Sequence, residues 1–385
     1  MKPALLTLLL LPFSLALHAQ IQFDCGSTGA YGAMTITENT TLPLPADGIF
    51  HCTTISVANG ATLRFTRNAN NTPVHLLAQG DVTISGTIDV SGANALGGAG
   101  GAGGPGGFDG GNGGSLASAG HGPGGGDVYN STSQTKSMGS YHGGQINYIP
   151  KPYGNPLLLP LIGGSGAGGG ANDGGGGGGG GAILIASNTR IDLNGSLYSR
   201  GGRGYYTNLS DQNHGSGGAI RLVTPVMTGS GNVQVEPSQS AYFFYPGRVR
   251  LDTLDRTNFS GSLAGEVFYG NASVGANMMV FAPNLPKLRI SKINDTVMPE
   301  NPSTPLYFLL PPGSPNPATI EITASYPAEF TSPYPLPIRV VFTPNSGPRI
   351  DIDAVINGPF TPSATTTITQ LLTPGLETKI DVWSR

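Results

Sequence analysis

Val74-His75-Leu76 is followed about ten residues later by Gly86-Thr87-Ile88. The same grammar recurs in Ile183-Leu184-Ile185 with Gly195-Ser196-Leu197, in Ile220-Arg221-Leu222 with Gly231-Asn232-Val233, and in Val249-Arg250-Leu251 with Gly261-Ser262-Leu263. Apolar-x-apolar triplets have the period of a strand, and a repeat of about 20 to 24 residues is the length of one solenoid coil. The repeat therefore predicts a right-handed parallel β-helix. Leu76, Ile185, Leu222 and Leu251 should form one inward stack; Ile88, Leu197, Val233 and Leu263 should form another. The glycine before each member of the second stack reads as a sharp corner with positive φ.

Outward from these copies the pattern stays β-like. Thr53 to Val57 and Ala61 to Phe65 alternate at period two around the turn signal Asn59-Gly60. Between the first and second copies the chain is mostly glycine, at 97–114 and again at 163–181. A free linker would not interrupt a repeat array between matching copies. Two readings compete for residues 93–180, a flexible linker and an ordered insertion in which glycine allows close, extended backbones, and the interruption of the array favours the second. The apolar run Leu157 to Ile162 should dock it. A second insertion covers 200–216. From residue 285 prolines become frequent, and six short alternating segments, from Leu288-Arg289-Ile290 to Lys379-Ile380-Asp381-Val382-Trp383, predict a C-terminal antiparallel β-sandwich, similar in pattern to immunoglobulin-like or fibronectin-like modules.

At the other end, Lys2 and the apolar run Leu5 to Leu17 predict a signal peptide over 1–19. The organisation expected is a cap over 20–52, the β-helix with its insertions over 53–284, and the sandwich over 285–385. Export predicts that Cys25 and Cys52, the two cysteines of the chain, pair as a disulfide.

Composition narrows the function. Glycine is 61 of 385 residues, and charged residues are 11%, against a usual share of about 25%. The net charge is −3 with no Lys/Arg run, so no nucleic-acid footprint exists. No apolar stretch after the leader is long enough for a membrane-spanning helix. GxSxG, HExxH and Walker A signatures are absent. No cofactor is expected, and the chain leans away from enzymes. An alternative, a β-helix carbohydrate-active enzyme, would need a carboxylate pair at fixed separation. Its candidates are Asp81, Asp89 and Asp192, but Asp89 falls opposite Tyr198, and Asp81 roughly opposite Arg190. A second alternative, ice binding, lacks regular threonine ranks.

Gly103 to Asp109 approaches a calcium-binding glycine-aspartate repeat, which makes Asp109 and Asp173 weak calcium candidates. The histidines His51, His75, His121, His142 and His214 have no ligand spacing. Loop aromatics over a rigid scaffold are the better binding candidates: Tyr129, Tyr141, Tyr148, Tyr153, Tyr205 and Tyr206.

The run Asp47-Gly48-Ile49-Phe50-His51, the string Gly104 to Gly111, Leu159 to Gly166 and Ser216 to Leu222 together resemble a family of uncharacterised, exported, glycine-rich bacterial proteins. More loosely, the repeat is similar to β-helical adhesins and surface fibres. The resemblance implies a secreted or cell-surface protein with a structural or adhesive role, partnered by polysaccharide or other cell-surface components.

Overall fold

A computed structural model describes residues 23–128, 153–171, 174–205, 213–236, 246–263, 272–282, 285–300, 309–327, 334–360 and 363–384. The expected signal peptide lies outside them. Apart from one 3₁₀ turn at Gly114–Leu116, the regular secondary structure of the described residues is all β-strand.

The parallel strands are β1 (Gly32–Ile36), β2 (Thr40–Pro43), β3 (Ile49–Val57), β4 (Thr62–Thr66), β5 (Val74–Ala78), β6 (Val82–Ile84), β7 (Thr87–Asp89), β8 (Ala182–Ser187), β9 (Arg190–Leu193), β10 (Ser196–Tyr198), β11 (Ala219–Thr228), β12 (Asn232–Gln234), β13 (Arg248–Asp255), β14 (Ser262–Leu263) and β15 (Ala272–Gly275). The two aliphatic stacks exist as read. Leu76, Ile185, Leu222 and Leu251 are register partners in turn, and so are Ile88, Leu197, Val233 and Leu263. All but Leu263 are buried in one continuous core. Fully burying one such side chain contributes roughly 1.5–3 kcal/mol.

The fold class differs from the expected right-handed β-helix. Six strands close into a parallel barrel: β3 pairs β5, then β8, β11, β9 and β6 follow, and β6 returns to β3. Closure depends on two long strands. β3 pairs β5 through Ile49 to Cys52 and β6 through Ile55 to Val57. β11 pairs β8 through Ala219 to Val223 and β9 through Val226 to Thr228. The repeat encodes which residues stack; it does not encode that two strands are long enough to join both arcs. β3 also runs across the expected boundary at residue 52. A second parallel sheet, β2-β4-β7-β10-β12-β14, lies beside this ring.

The corner glycines also need correcting. Gly86, Gly195, Gly231 and Gly261 do not have positive φ. They are glycines because they stack. A Cβ on Gly195 would strike the Gly86 carbonyl, one on Gly231 the Gly195 carbonyl, and one on Gly261 the Gly231 carbonyl.

The glycine-rich insertion is an ordered bundle wherever it is described. Segment 174–181 is its axis. Its N–H groups visit three neighbours in rotation: Gly176 and Gly179 donate to Gly111 and Phe108, Gly177 and Gly180 to Asn213 and Ser216, Gly178 and Gly181 to Ala93 and Val90. Its carbonyls do the same. Those of Gly176 and Gly179 accept from Gly101 and Gly104, those of Gly177 and Gly180 from Ala167 and Gly164, those of Gly175 and Gly178 from Tyr205 and Gly202. These bonds span 2.7–3.1 Å. Every third residue returns to the same neighbour, the rotation of an extended helix with three residues per turn. Side chains cannot fit. A Cβ on Gly176, Gly177, Gly178 or Gly179 would meet neighbouring backbone. Leu158 anchors the insertion, buried against Ala182 and Ala219 with Tyr153 and Leu161 beside it.

On the barrel's outer face, β8 and its neighbours are covered too. Leu77, Leu184, Ala186 and Val223 form an apolar cluster with Cys25 and Val280. Beside it Arg221 and Asp252 are completely buried. Asp252 accepts from Arg221 at 3.1 Å, from Arg250 at 2.6 Å and from the Asn277 N–H at 2.9 Å. Arg221 also donates to the Asn277 and Val280 carbonyls, which ties segment 276–280 across the sheet.

The expected Cys25–Cys52 disulfide is not formed; both thiols are free and buried. Cys52 belongs to the inner core, whereas Cys25 joins the outer cluster and donates to the Ala78 carbonyl at 3.3 Å. The sheet backbone stands between them. Burial pushes the Cys52 thiol up to about 11.

The C-terminal strands are antiparallel: β16 (Lys287–Ile293), β17 (Thr296–Val297), β18 (Ala318–Ser325), β19 (Leu336–Pro344), β20 (Ile350–Ile356), β21 (Ser363–Gln370) and β22 (Thr378–Ser384). They form sheets β17-β16-β18-β21 and β20-β19-β22, which share a core of Ile320, Ile322, Val340, Phe342 and Phe360. This unit docks on the glycine bundle. Arg349 donates to the carbonyls of Gly120, Gly122 and Pro123, and the Gly347 N–H donates to Ala117. Trp383 meets Phe108 edge to face at 5.1 Å.

Two outcomes follow from this packing. Gly178→Ala should cost about 3 kcal/mol, at the upper end of overpacking, while Gly98→Ala, whose Cβ would be 3.7 Å from its nearest neighbour, should be nearly neutral; urea melts of both variants check this. Asp252→Asn leaves Arg221 charged and buried and should cost about 3–5 kcal/mol in the same melts.

Candidate functional site

Two open clefts lie where the parallel sheets meet other parts of the chain. The first runs along the seam between the second sheet and the glycine bundle. It encloses about 320 Å³ and is lined by Asp89, Ser91, Asn94, Tyr198, Arg200 and Arg203, among others. Strand alternation builds it. Ile88 and Leu197 point inward, so Asp89 and Tyr198 point out, and the register sets Asp89 beside Tyr198 and Tyr198 beside Gln234. Arg64 extends the row, pairing with Asp89 at 3.0 Å. Arg200 lies 3.8 Å over the Tyr198 ring and donates to Gln234 Oε1. The cleft thus combines an aromatic ring, guanidinium donors and a carboxylate on rigid strands.

The second cleft, of about 380 Å³, sits where the loop between β4 and β5, the bundle and the sandwich converge. Arg67 and Lys379 come from opposite ends of the sequence to line it with Asp109. Arg67 Nη1 donates to Asp109 Oδ1 at 2.6 Å, and the Gly103 N–H donates to the same oxygen at 2.7 Å. Burial alone would raise the Asp109 pKa, but Arg67 and this N–H outweigh it and hold the carboxyl below its usual range.

The residues singled out in the sequence fall into several places. Asp109, read as a weak calcium candidate, holds an arginine instead. No group of three His, Cys, Asp or Glu side chains that could hold a metal occurs among the described residues. Asp173 lies outside those residues, as do Tyr129, Tyr141, Tyr148, Tyr206 and His142. Tyr153 pins the insertion, donating to the Gly163 carbonyl at 2.6 Å and accepting from Ser165 at 2.9 Å. Tyr205 is 45% exposed at the bundle's edge. The carboxylates weighed for glycoside chemistry do not come together. Asp81 binds Thr189 and Arg190, Asp89 binds Arg64, and Asp192 accepts from Thr228.

Sequence reading passed over Arg200, Arg203, Arg67 and Lys379. A signal for the seam cleft was present, since Tyr198 occupies the outward position equivalent to Asp89. None existed for the second cleft, whose members meet only through docking.

Comparisons with protein-family models, with curated proteins and with solved structures found no match. The residues themselves carry the functional reading.

The histidines are spread over the molecule. His51 accepts from the Thr28 N–H, and His214 is buried. His121 sits near Lys379, Asp109, Asp381 and Arg349, with its pKa lowered chiefly by burial. His75 stands on the outer face of β5, 5.2 Å from Phe281, and burial lowers its pKa to about 4. The folded state therefore resists a proton that the unfolded chain takes up near pH 6.5. Above that pH His75 costs nothing; as pH falls from about 6.5 to 4, stability is lost, by about 3 kcal/mol at full effect. Urea melts at pH 7 and pH 4 should show a smaller acid loss for His75→Phe than for the parent chain.

Proposed function

We propose that this chain is an exported structural or adhesive protein of the cell surface that holds a polysaccharide in the seam cleft. The observation that carries the reading is the outward row Arg64, Asp89, Tyr198 and Gln234, with Arg200 and Arg203 at its rim. Sugars are bound by ring faces flanked by planar donors and acceptors, and this row supplies both on strands whose register cannot slip without exposing the core. The cleft is open along the seam, which suits an internal stretch of a long polymer better than a small enclosed substrate. The closed barrel and the cross-bonded bundle supply the rigid support that such a surface needs.

A glycan array with the full chain tests this. Polysaccharide binding is expected, and Tyr198→Ala should weaken it about tenfold, the loss of about 1.4 kcal/mol of ring contact. An array without any polysaccharide signal sinks the reading, as does a Tyr198→Ala chain that binds like the parent.

A further inference from the structure

The three-way cleft is a second candidate site, and its hydrogen-bond inventory selects a ligand. Asn68 is committed: its Nδ2 donates to Pro45, Ala46 and Thr72, and its Oδ1 accepts from the Thr72 N–H. Asn71 is committed as well, donating to the Gly107 carbonyl and accepting from the Gly106 N–H. These amides shape the rim and have little left to offer a ligand.

The capacity that remains lies in three charged side chains. A guanidinium carries five N–H donors, and Arg67 spends one on Asp109. Lys379 has three donors and only a long 3.4 Å contact to Asp381. Both cations are partly exposed, at 30% and 50% of their side chains. Asp109 Oδ1 is occupied, while no described residue donates to Oδ2. The cleft therefore offers two cations and one free acceptor oxygen. An anion with nothing to donate would meet repulsion from Asp109. A ligand carrying both a carboxylate and a hydroxyl satisfies every group at once.

We propose that this cleft binds a uronic acid unit of an acidic polysaccharide. The carboxylate bridges Arg67 and Lys379, the charge-assisted geometry that guanidinium groups favour. A ring hydroxyl donates to Asp109 Oδ2. The assignment rests on the polysaccharide reading above and names the acid that reading leaves open. It also gives the docked sandwich a role, since Lys379 on β22 completes a site whose other members belong to the β4–β5 loop and the bundle.

The protein carries its own probe. Trp383 is the single tryptophan of the chain, and its ring stands 5.1 Å from Phe108, which lines the cleft. Titrating the full chain with a glucuronic acid tetrasaccharide should change tryptophan emission saturably, and a glucose tetrasaccharide should not. Lys379→Ala should weaken the acid about tenfold, as should Arg67→Gln, in line with the loss of one charge-assisted hydrogen bond. Lys292→Ala, on the same sandwich but paired to Glu321, should titrate like the parent. Equal response to both sugars, or unchanged affinity in Lys379→Ala and Arg67→Gln, overturns the proposal. A silent Trp383 beside a positive glycan array removes this site and leaves the polysaccharide reading intact. A silent Trp383 beside a blank array removes both.

Discussion

Buried backbone polar groups must find partners, and along the glycine axis 174–181 that requirement is met chiefly by other backbone groups. Segment 174–181 sends successive N–H groups to three neighbours and takes bonds on successive carbonyls from three more. Each bond contributes only about 0.5–1.5 kcal/mol net. Their number and their three-way rotation make the arrangement rigid. Any side chain on the axis would separate the neighbours, so the glycine density is a steric requirement of this packing. The rest of the structure is built on it. Barrel strand β8 continues directly from it and β11 from its neighbour 213–218, the seam cleft borders the bundle, and the sandwich docks on the bundle carbonyls of Gly120, Gly122 and Pro123.

The two hydrogen-bonding regimes meet at Gly181 and Ala182. On the bundle side the chain turns by a third of a revolution per residue and buries no side chain. On the barrel side it alternates by half a revolution and buries Ile183 and Ile185 inward and Leu184 outward. A strand covered on both faces is apolar at every position, and Ala182 to Ala186 has that composition. Where a charge is nevertheless placed there, as at Arg221, both Nη groups are paired, with Asp252 and with the Asn277 and Val280 carbonyls.

Much of this was legible in the sequence. The four triplet copies identified the inward aliphatic stacks residue by residue, because a strand of period two leaves no freedom over which side faces the core. The six C-terminal segments likewise mark six of the sandwich strands. What was not legible depended on length and on long-range docking. Barrel closure hangs on β3 and β11 spanning two partners each, and neither carries a local mark of it. The corner glycines were read as conformational when they are steric. The cysteines were paired by compartment, whereas the sheet holds them on opposite faces. Of the sites, Asp89 and Tyr198 could be seen to share a position. Arg67 and Lys379 could not be joined, since it is docking of the sandwich, through contacts such as Arg349 with Gly122 and Trp383 with Phe108, that brings them together.

The threefold rotation of hydrogen bonds has a mechanical consequence. In a flat sheet a strand pulled along its length slides against two neighbours, and a strand pulled sideways peels from one. The 174–181 segment has no peeling direction. A load along it is shared as shear among segments 90–93, 101–104, 108–111, 164–167, 202–205 and 213–216, and a load across it always stretches bonds on the opposite side. The part of the sequence that is softest in composition is thus held by backbone hydrogen bonds on every side.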